Sequence, residues 1–352
     1  MTVDPVGTRV ATSGLGRDGE RGDVVIDSVA LPDRSREASL LRCVAFGATF
    51  AKRRLGMATV LRFGLTRFAQ SNADWYEKAE RAEQYGFDVL WTPDHLFHFQ
   101  RPNEPILDGW VTLAAWTAIT TRIRLGTLIT NLSWPSPVLV ARAAAAIDQI
   151  SGGRFELGLG AGAFADQAMG GVLEMPPRER VARLAEGAAV IDRLLRGDIT
   201  PFAGRFTRYE AASMAPGCVQ APRPPITIAA NGDAALRVAA RYADAWNTWG
   251  GFELPIEEFF EATVKRSRRL DQYCADIGRD PSAVRRSLAV YPRFVDAWAD
   301  EGAAKGLVER FHEVGFSEFV FWWPSEHQMP VFEHFVEDAM PRLRNLPDSP
   351  PA

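Results

Sequence analysis

From residue 58 onward the chain alternates short runs rich in β-branched and aromatic residues with segments of helical periodicity, and completes that alternation eight times. This repetition limits the fold more than any single motif does. Strands are predicted at 60–66 (VLRFGLT), 87–92 (FDVLWT), 123–130 (IRLGTLIT), 154–160 (RFELGLG), 225–230 (PITIAA), 244–249 (DAWNTW), 286–292 (RSLAVYP) and 318–323 (EFVFWW). Helical spacing of apolar residues places helices at 74–85, 109–120, 138–150, 178–195, 234–242, 256–277, 300–314 and 329–343. Strands that are apolar throughout belong to parallel sheets covered on both faces. Eight such βα units predict an α/β fold, a closed (β/α)8 TIM barrel. A doubly wound open sheet is the competitor, but it carries its glycine loop after the first strand. Here the glycine run Gly158-Leu159-Gly160-Ala161-Gly162 comes after the fourth.

The stretch 163–224 exceeds what one βα connection needs and holds its own turn signals, among them Pro176-Pro177, Gly204 and Pro216-Gly217. We expect an insertion between strands four and five, with a small hairpin at 202–210. Residues 1–56 show no strand-turn-helix order continuous with the repeating βα pattern, and are expected to form a disordered or poorly packed extension. Met57 stands just ahead of the first strand and is a candidate translation start. The barrel then spans 57–346, with a flexible tail at 347–352.

Composition excludes several functions. The net charge is −4 with no basic block, so the electrostatic footprint of a nucleic-acid binder is missing. Cys43, Cys218 and Cys274 are far apart and form no CxxC, which favours a reducing, cytoplasmic setting over a disulfide framework. No stretch reaches the ~20 apolar residues of a membrane span, and the start lacks the pattern of a secretory signal.

In such barrels chemistry collects at the C-terminal ends of the strands. The second strand ends in Trp91-Thr92-Pro93-Asp94-His95. A carboxylate beside an imidazole suits proton transfer near neutral pH, although Asp94 could instead cap a helix. His95 and His98 lack a third ligand at useful spacing, so no metal site is expected. The third strand offers Thr127, Thr130 and Asn131 at its tip. The fifth ends in Ala230-Asn231-Gly232-Asp233 before a helix, where free amides could hold an anion such as a phosphate; an Asp233 helix cap explains the same residues. Trp246 and Trp249 on the sixth strand wall a pocket or fill the barrel, and packing is the simpler account.

Together these tips outline a flat ligand with an anionic tail. At this point the chain resembles the bacterial luciferase-like monooxygenase superfamily, and within it the branch using the deazaflavin coenzyme F420. The resemblance runs from about Leu61 to Leu343. It is carried by Asp94-His95, by 126–162 (GTLITNLSWPSPVLVARAAAAIDQISGGRFELGLGAG), by 197–209 (GDITPFAGRFTRY) and by 224–250 (PPITIAANGDAALRVAARYADAWNTWG). It implies that Asp94 hydrogen-bonds the deazaflavin ring and that His95 lies by its reactive carbon and manages a proton. It further implies a non-prolyl cis peptide at Thr127-Leu128 behind the ring and a ring contact from Thr130. Ala161 and Gly162 would lie beneath the cofactor, and Asp166 near its side chain. Asn231, Gly232, Ala234 and Ala235 would cradle the phosphate.

The implied activity is hydride transfer between the deazaflavin C5 and a small organic substrate, in a homodimer. An FMN-dependent monooxygenase using reduced flavin and O2, and a non-catalytic flavin-binding protein, are the alternatives; a metal-dependent barrel hydrolase lacks ligands. One departure stands out. Sugar-phosphate dehydrogenases of this branch carry a glutamate directly after the glycine loop, and here that position is Ala163, with Phe164 next to it. With Phe97, Phe99 and Trp134 in the neighbourhood, a more apolar or aromatic substrate is expected.

Overall fold

The computed structural model describes residues 60–68, 70–98, 103–162, 171, 174–210, 213–249, 254–292 and 295–347. The expected extension at 1–56 lies outside the described residues, as does the tail beyond Pro347. All eight predicted strands are present: β1 (Arg62–Thr66), β2 (Val89–Asp94), β3 (Arg124–Asn131), β4 (Phe155–Gly160), β5 (Ile226–Ala229), β6 (Ala245–Thr248), β7 (Arg285–Val290) and β8 (Glu318–Trp322). They pair in parallel around a closed ring in chain order, β8 returning to β1 in the register Arg62 opposite Glu318. An antiparallel hairpin, Phe202–Ala203 with Arg208–Tyr209, sits in the predicted insertion.

The helical jacket comprises α1 (Asn72–Gln84), α2 (Gly109–Ile119), α3 (Pro137–Ile150), α4 (Pro177–Leu195), α5 (Asp233–Tyr242), α6 (Ile256–Asp276), α7 (Ala303–His312) and α8 (Met329–His334). Helix α1 starts ahead of its predicted Asp74 because Ser71 caps it, its hydroxyl accepting from Asp74 N. Its Ala79 and Ala82 are fully buried. The last predicted helix, 329–343, is interrupted after α8 by a π-helical turn, Phe335–Ala339, before Met340–Leu343. Pro341 lacks the N–H that would continue the α-helical ladder, and the ladder widens ahead of it.

The two ends of the barrel are built differently. At the N-terminal end, the first residues of β1, β3, β7 and β8 and the second of β4 bring five charges together. Arg62 bridges Glu156 at 2.6 Å and Glu318 at 2.9 Å, Arg285 holds Glu318 at 3.0 Å, and Arg124 also pairs with Glu156. Burial pushes the Glu156 carboxyl up, but Arg62, Arg285 and Arg124 outweigh it and keep it well below the usual carboxylate range. Above this charged plug, Trp91, Val89, Leu128 and Val320 fill the interior. Trp91 fits only because β3 carries Gly126, where a Cβ would lie 2.4 Å from the indole.

The C-terminal half is shaped by a seam between β3 and β4. The register of β3 shifts between Gly126 and Thr130 against β4, and between Thr92 and Asp94 on the β2 side. Within the shifted segment the Leu128-Ile129 peptide is cis, one peptide beyond the predicted Thr127-Leu128. The displaced backbone presses on β4, and the glycine run receives it. A Cβ at Gly158 would stand 2.0 Å from Thr127 O, one at Gly160 2.4 Å from Ile129 Cδ1, and one at Gly162 1.9 Å from Asn131 Oδ1. Gly162 also has φ +73°, a conformation that favours glycine. The space a side chain would need at these three glycines is therefore filled by β3.

Gly158→Ala is accordingly expected to lower unfolding free energy by about 3 kcal/mol or more, since the obstacle is backbone and cannot rotate away. Gly232→Ala, where a Cβ meets nothing within 4 Å, should change it by less than about 1 kcal/mol. Urea unfolding of both variants checks the contrast; equal effects would contradict the seam.

Candidate functional site

Asp94 is the last residue of β2, buried at 8% exposure. It does not cap a helix: α2 begins at Gly109 with Asp108 as its cap, accepting from Val111 N at 2.8 Å. The Asp94 carboxylate is held instead by Trp110, whose Nε1 donates to Oδ2 at 3.0 Å, and it lies opposite Thr130 in the β2–β3 ladder. Burial pushes its carboxyl up, the neighbouring Thr130 hydroxyl and the Trp110 hydrogen bond pull it back, Asp108 pushes up and His95 pulls down; the outcome is about 6. A carboxyl that titrates there beside an imidazole can take or give a proton at neutral pH.

His95 is next in the chain, partly exposed, its ring 5.8 Å from Phe68. His98 is buried with its ring 5.1 Å from Phe68. Phe68 in turn packs 5.8 Å from Trp322 at the end of β8, and Tyr291 beyond β7 lies 5.6 Å from Trp322. Among the described residues no group of three His, Cys, Asp or Glu side chains could hold a metal ion.

Thr127 is fully buried and donates to Gly158 O at 3.1 Å, so its hydroxyl serves the seam rather than a ligand. Leu128 points into the interior with Trp91 and Val320. Asn131 and Ser133 brace the start of the loop after β3: Ser133 N donates to Asn131 Oδ1 at 2.8 Å, and Ser133 Oγ to Ala161 O at 2.7 Å. Arg180 of α4 donates to Gly162 O. Ala161 and Gly162 thus form a fixed floor at the end of β4. Ala163, Phe164, Asp166 and Phe99 lie outside the described residues.

Across the same barrel end, Gly232 is the N-cap of α5, extended at φ −97° and ψ 155°, with no side chain bonded to the helix amides. The amides of Asp233, Ala234 and Ala235 therefore lack a side-chain cap, at the positive end of the helix dipole. Ala234 is exposed and Ala235 buried. Asp233 is turned aside by Arg269, 2.7 Å from its carboxylate. Asn231 is not free to join them. With its amide set by its neighbours, its nitrogen donates to Thr248 Oγ1 at 2.7 Å and Ala230 O at 3.3 Å, while its oxygen accepts from Trp249 Nε1 at 3.0 Å. It ties the tip of β5 to that of β6. Trp246 is fully buried, donating to Ala230 O at 2.8 Å, which settles its role as packing.

Sequence reasoning missed Trp110, because its partner lies 16 residues upstream and an indole near a helix start carries no local signal. It also missed Asn131 and Ser133 as braces, which only the approach of β3 to the glycine loop makes visible.

The C-terminal end of this barrel sets a buried carboxyl and an imidazole on one side and an uncapped helix start on the other, groups chemically suited to a ligand with an anionic end. The luciferase-like monooxygenase family model matches residues 54–312, and the chain belongs to that family. It is 27% identical over 337 residues to F420-dependent glucose-6-phosphate dehydrogenase of Beutenbergia cavernae, covering 81% of this chain and 98% of that protein. It is 33% identical over 169 residues to F420-dependent hydroxymycolic acid dehydrogenase of Mycobacterium tuberculosis, 48% of this chain and 46% of that one. The fold matches an F420-dependent secondary alcohol dehydrogenase in complex with an F420-acetone adduct, with TM-score 0.66 and 19% identity over 79% of this chain and 97% of that one. It matches equally a monooxygenase from Streptomyces bottropensis, at TM-score 0.66 and 20% identity over 80% and 99%.

The Asp94 carboxyl gives a stability test. Folded, it keeps its proton up to about pH 6 against an ordinary value of 3.8, so the native state binds more protons between those values and stability falls as pH rises through them. The loss reaches about 3 kcal/mol above pH 6. Asp94→Asn should therefore stabilise the protein by up to about 3 kcal/mol at pH 8, with the gain fading between pH 6 and pH 4. Urea unfolding across that range measures it; a pH-independent effect would contradict the burial argument.

Proposed function

We propose that this protein is a coenzyme F420-dependent oxidoreductase that transfers hydride between the deazaflavin and a small organic substrate. The observation that carries this is the facing of Asp94-His95 and the uncapped start of α5 across one barrel end, in a chain whose full-length relatives are named as F420-dependent. The residues present suit such a group. Thr66 Oγ1 and Asn131 Nδ2, at the C-terminal ends of β1 and β3, are buried without a hydrogen-bond partner, and polar edges of a ligand ring would supply partners. Gly232 opens onto free space, so an anionic group can reach the amides of Ala234 and Ala235.

When bound, the deazaflavin supplies a carbon that accepts or gives hydride. The chain's part is to bind, orient and manage the proton. Asp94 and Thr130 are the polar groups for the ring, and the Leu128-Ile129 segment is the wall behind it. His95 takes the proton released as a substrate carbon gives up hydride, or returns it in the reverse direction. Because Ala163 stands where sugar-phosphate dehydrogenases have glutamate, the substrate is not a sugar phosphate but a more apolar molecule. The site works in the cytoplasm, in a homodimer through α2 and α3, where Val111 and Leu139 are 70% and 68% exposed.

A flavin-dependent monooxygenase is the second reading, favoured by the luciferase-like monooxygenase family to which the chain belongs. Titrating the purified protein with F420 and with FMN separates the two: quenching by F420 at micromolar concentration is expected, and tight binding of FMN alone would overturn the proposal. His95→Ala should cut turnover at least about a hundredfold while leaving F420 affinity within about tenfold. Gly232→Val, whose Cβ meets nothing within 4 Å in the free protein, should preserve the fold yet weaken F420 binding; unchanged affinity would remove α5 from the site.

A further inference from the structure

Helix α2 begins in direct contact with the tip of β2. A Cβ at Gly109 would lie 2.9 Å from Pro93 O and 3.3 Å from Asp94 Cα, so only glycine lets the helix start this close. The next residue, Trp110, reaches across with Nε1 3.0 Å from Asp94 Oδ2. Its ring is fixed from the other side by Phe155 of β4, fully buried, at a centroid distance of 5.9 Å. Helix cap, bare glycine and ring packing together set the indole with its N–H on Asp94 Oδ2. We propose that Trp110 is a positioning residue that orients the Asp94 carboxylate toward the ligand side of the barrel by holding it through Oδ2.

The same hydrogen bond also acts on charge. The groups facing Asp94 are Thr130 from β3, Trp110 and Asp108 from the start of α2, and His95 from the loop after β2. Trp110 cannot titrate, so its donated hydrogen bond favours the carboxylate at every pH and opposes burial. Without it the carboxyl would rotate more freely and hold its proton to higher pH. The geometry stands without any ligand; only its bearing on catalysis rests on the function proposed above.

The test monitors the Asp94 side-chain carboxyl by carbon-13 NMR in the ligand-free protein. Trp110→Phe keeps the ring against Phe155 and deletes the donor. Replacing Trp110 by its sulfur isostere, 3-benzothienylalanine, deletes the N–H with almost no change of shape and guards against a folding defect. Both are expected to raise the Asp94 titration midpoint by about one pH unit, and to shift the pH dependence of F420 affinity by the same amount. A midpoint unmoved in the isostere would overturn the proposal and leave Trp110 as packing. A shifted midpoint in a protein that binds no F420 would support the positioning role and reject the proposed function instead.

Discussion

The contact between the displaced backbone of β3 and the glycines of β4 is the constraint on which the working end of this barrel depends. A regular parallel ladder would put side chains of both strands in alternating layers and leave no room for the shift between Gly126 and Thr130. With glycine at 158, 160 and 162, β4 yields that room, and Thr127 O, Ile129 and Asn131 occupy it. The shift carries Thr130 to its place opposite Asp94 and sets Asn131 to brace the start of the loop after β3, from which Ser133 reaches Ala161 O. Any larger residue in the run would push β3 back and separate the polar groups it assembles.

Most of the architecture was legible because the features that encode it are local. Eight apolar runs of strand length, each paired with a stretch of helical spacing, leave few arrangements, and a glycine loop after the fourth strand argues against the open sheet. Positions at strand tips, such as Asp94 and Gly232, are set by the same register. What could not be read are contacts that close through space. The glycine run gave no local sign of what packs against it, because that neighbour, β3, is 31 residues away along the chain. Asn231 looked like an anion ligand because its ties to Thr248 and Trp249 cross to the next strand. Thr127 looked like a polar group offered at the strand tip, but its hydroxyl is bonded to Gly158 O. In each case residue type was informative and the partner was not.

The molecule divides stability and function between its two ends. At the N-terminal end, buried charges are compensated by partners at close range. At the C-terminal end, Asp94 is buried with partners that only partly offset its desolvation, which costs stability at neutral pH. Such an uncompensated cost is in keeping with the ligand site proposed here. The Asp94 carboxyl and the first turn of α5 are the two anchors of the proposed ligand, and the seam is the wall between them.

A crystal structure of the complex with coenzyme F420 tests this account most directly. The ring is expected to lie against the Leu128-Ile129 segment within hydrogen-bond reach of Asp94, and the phosphate on the amides of Ala234 and Ala235. A phosphate on the glycine run at 158–162, or a ring bound away from Asp94, would contradict it.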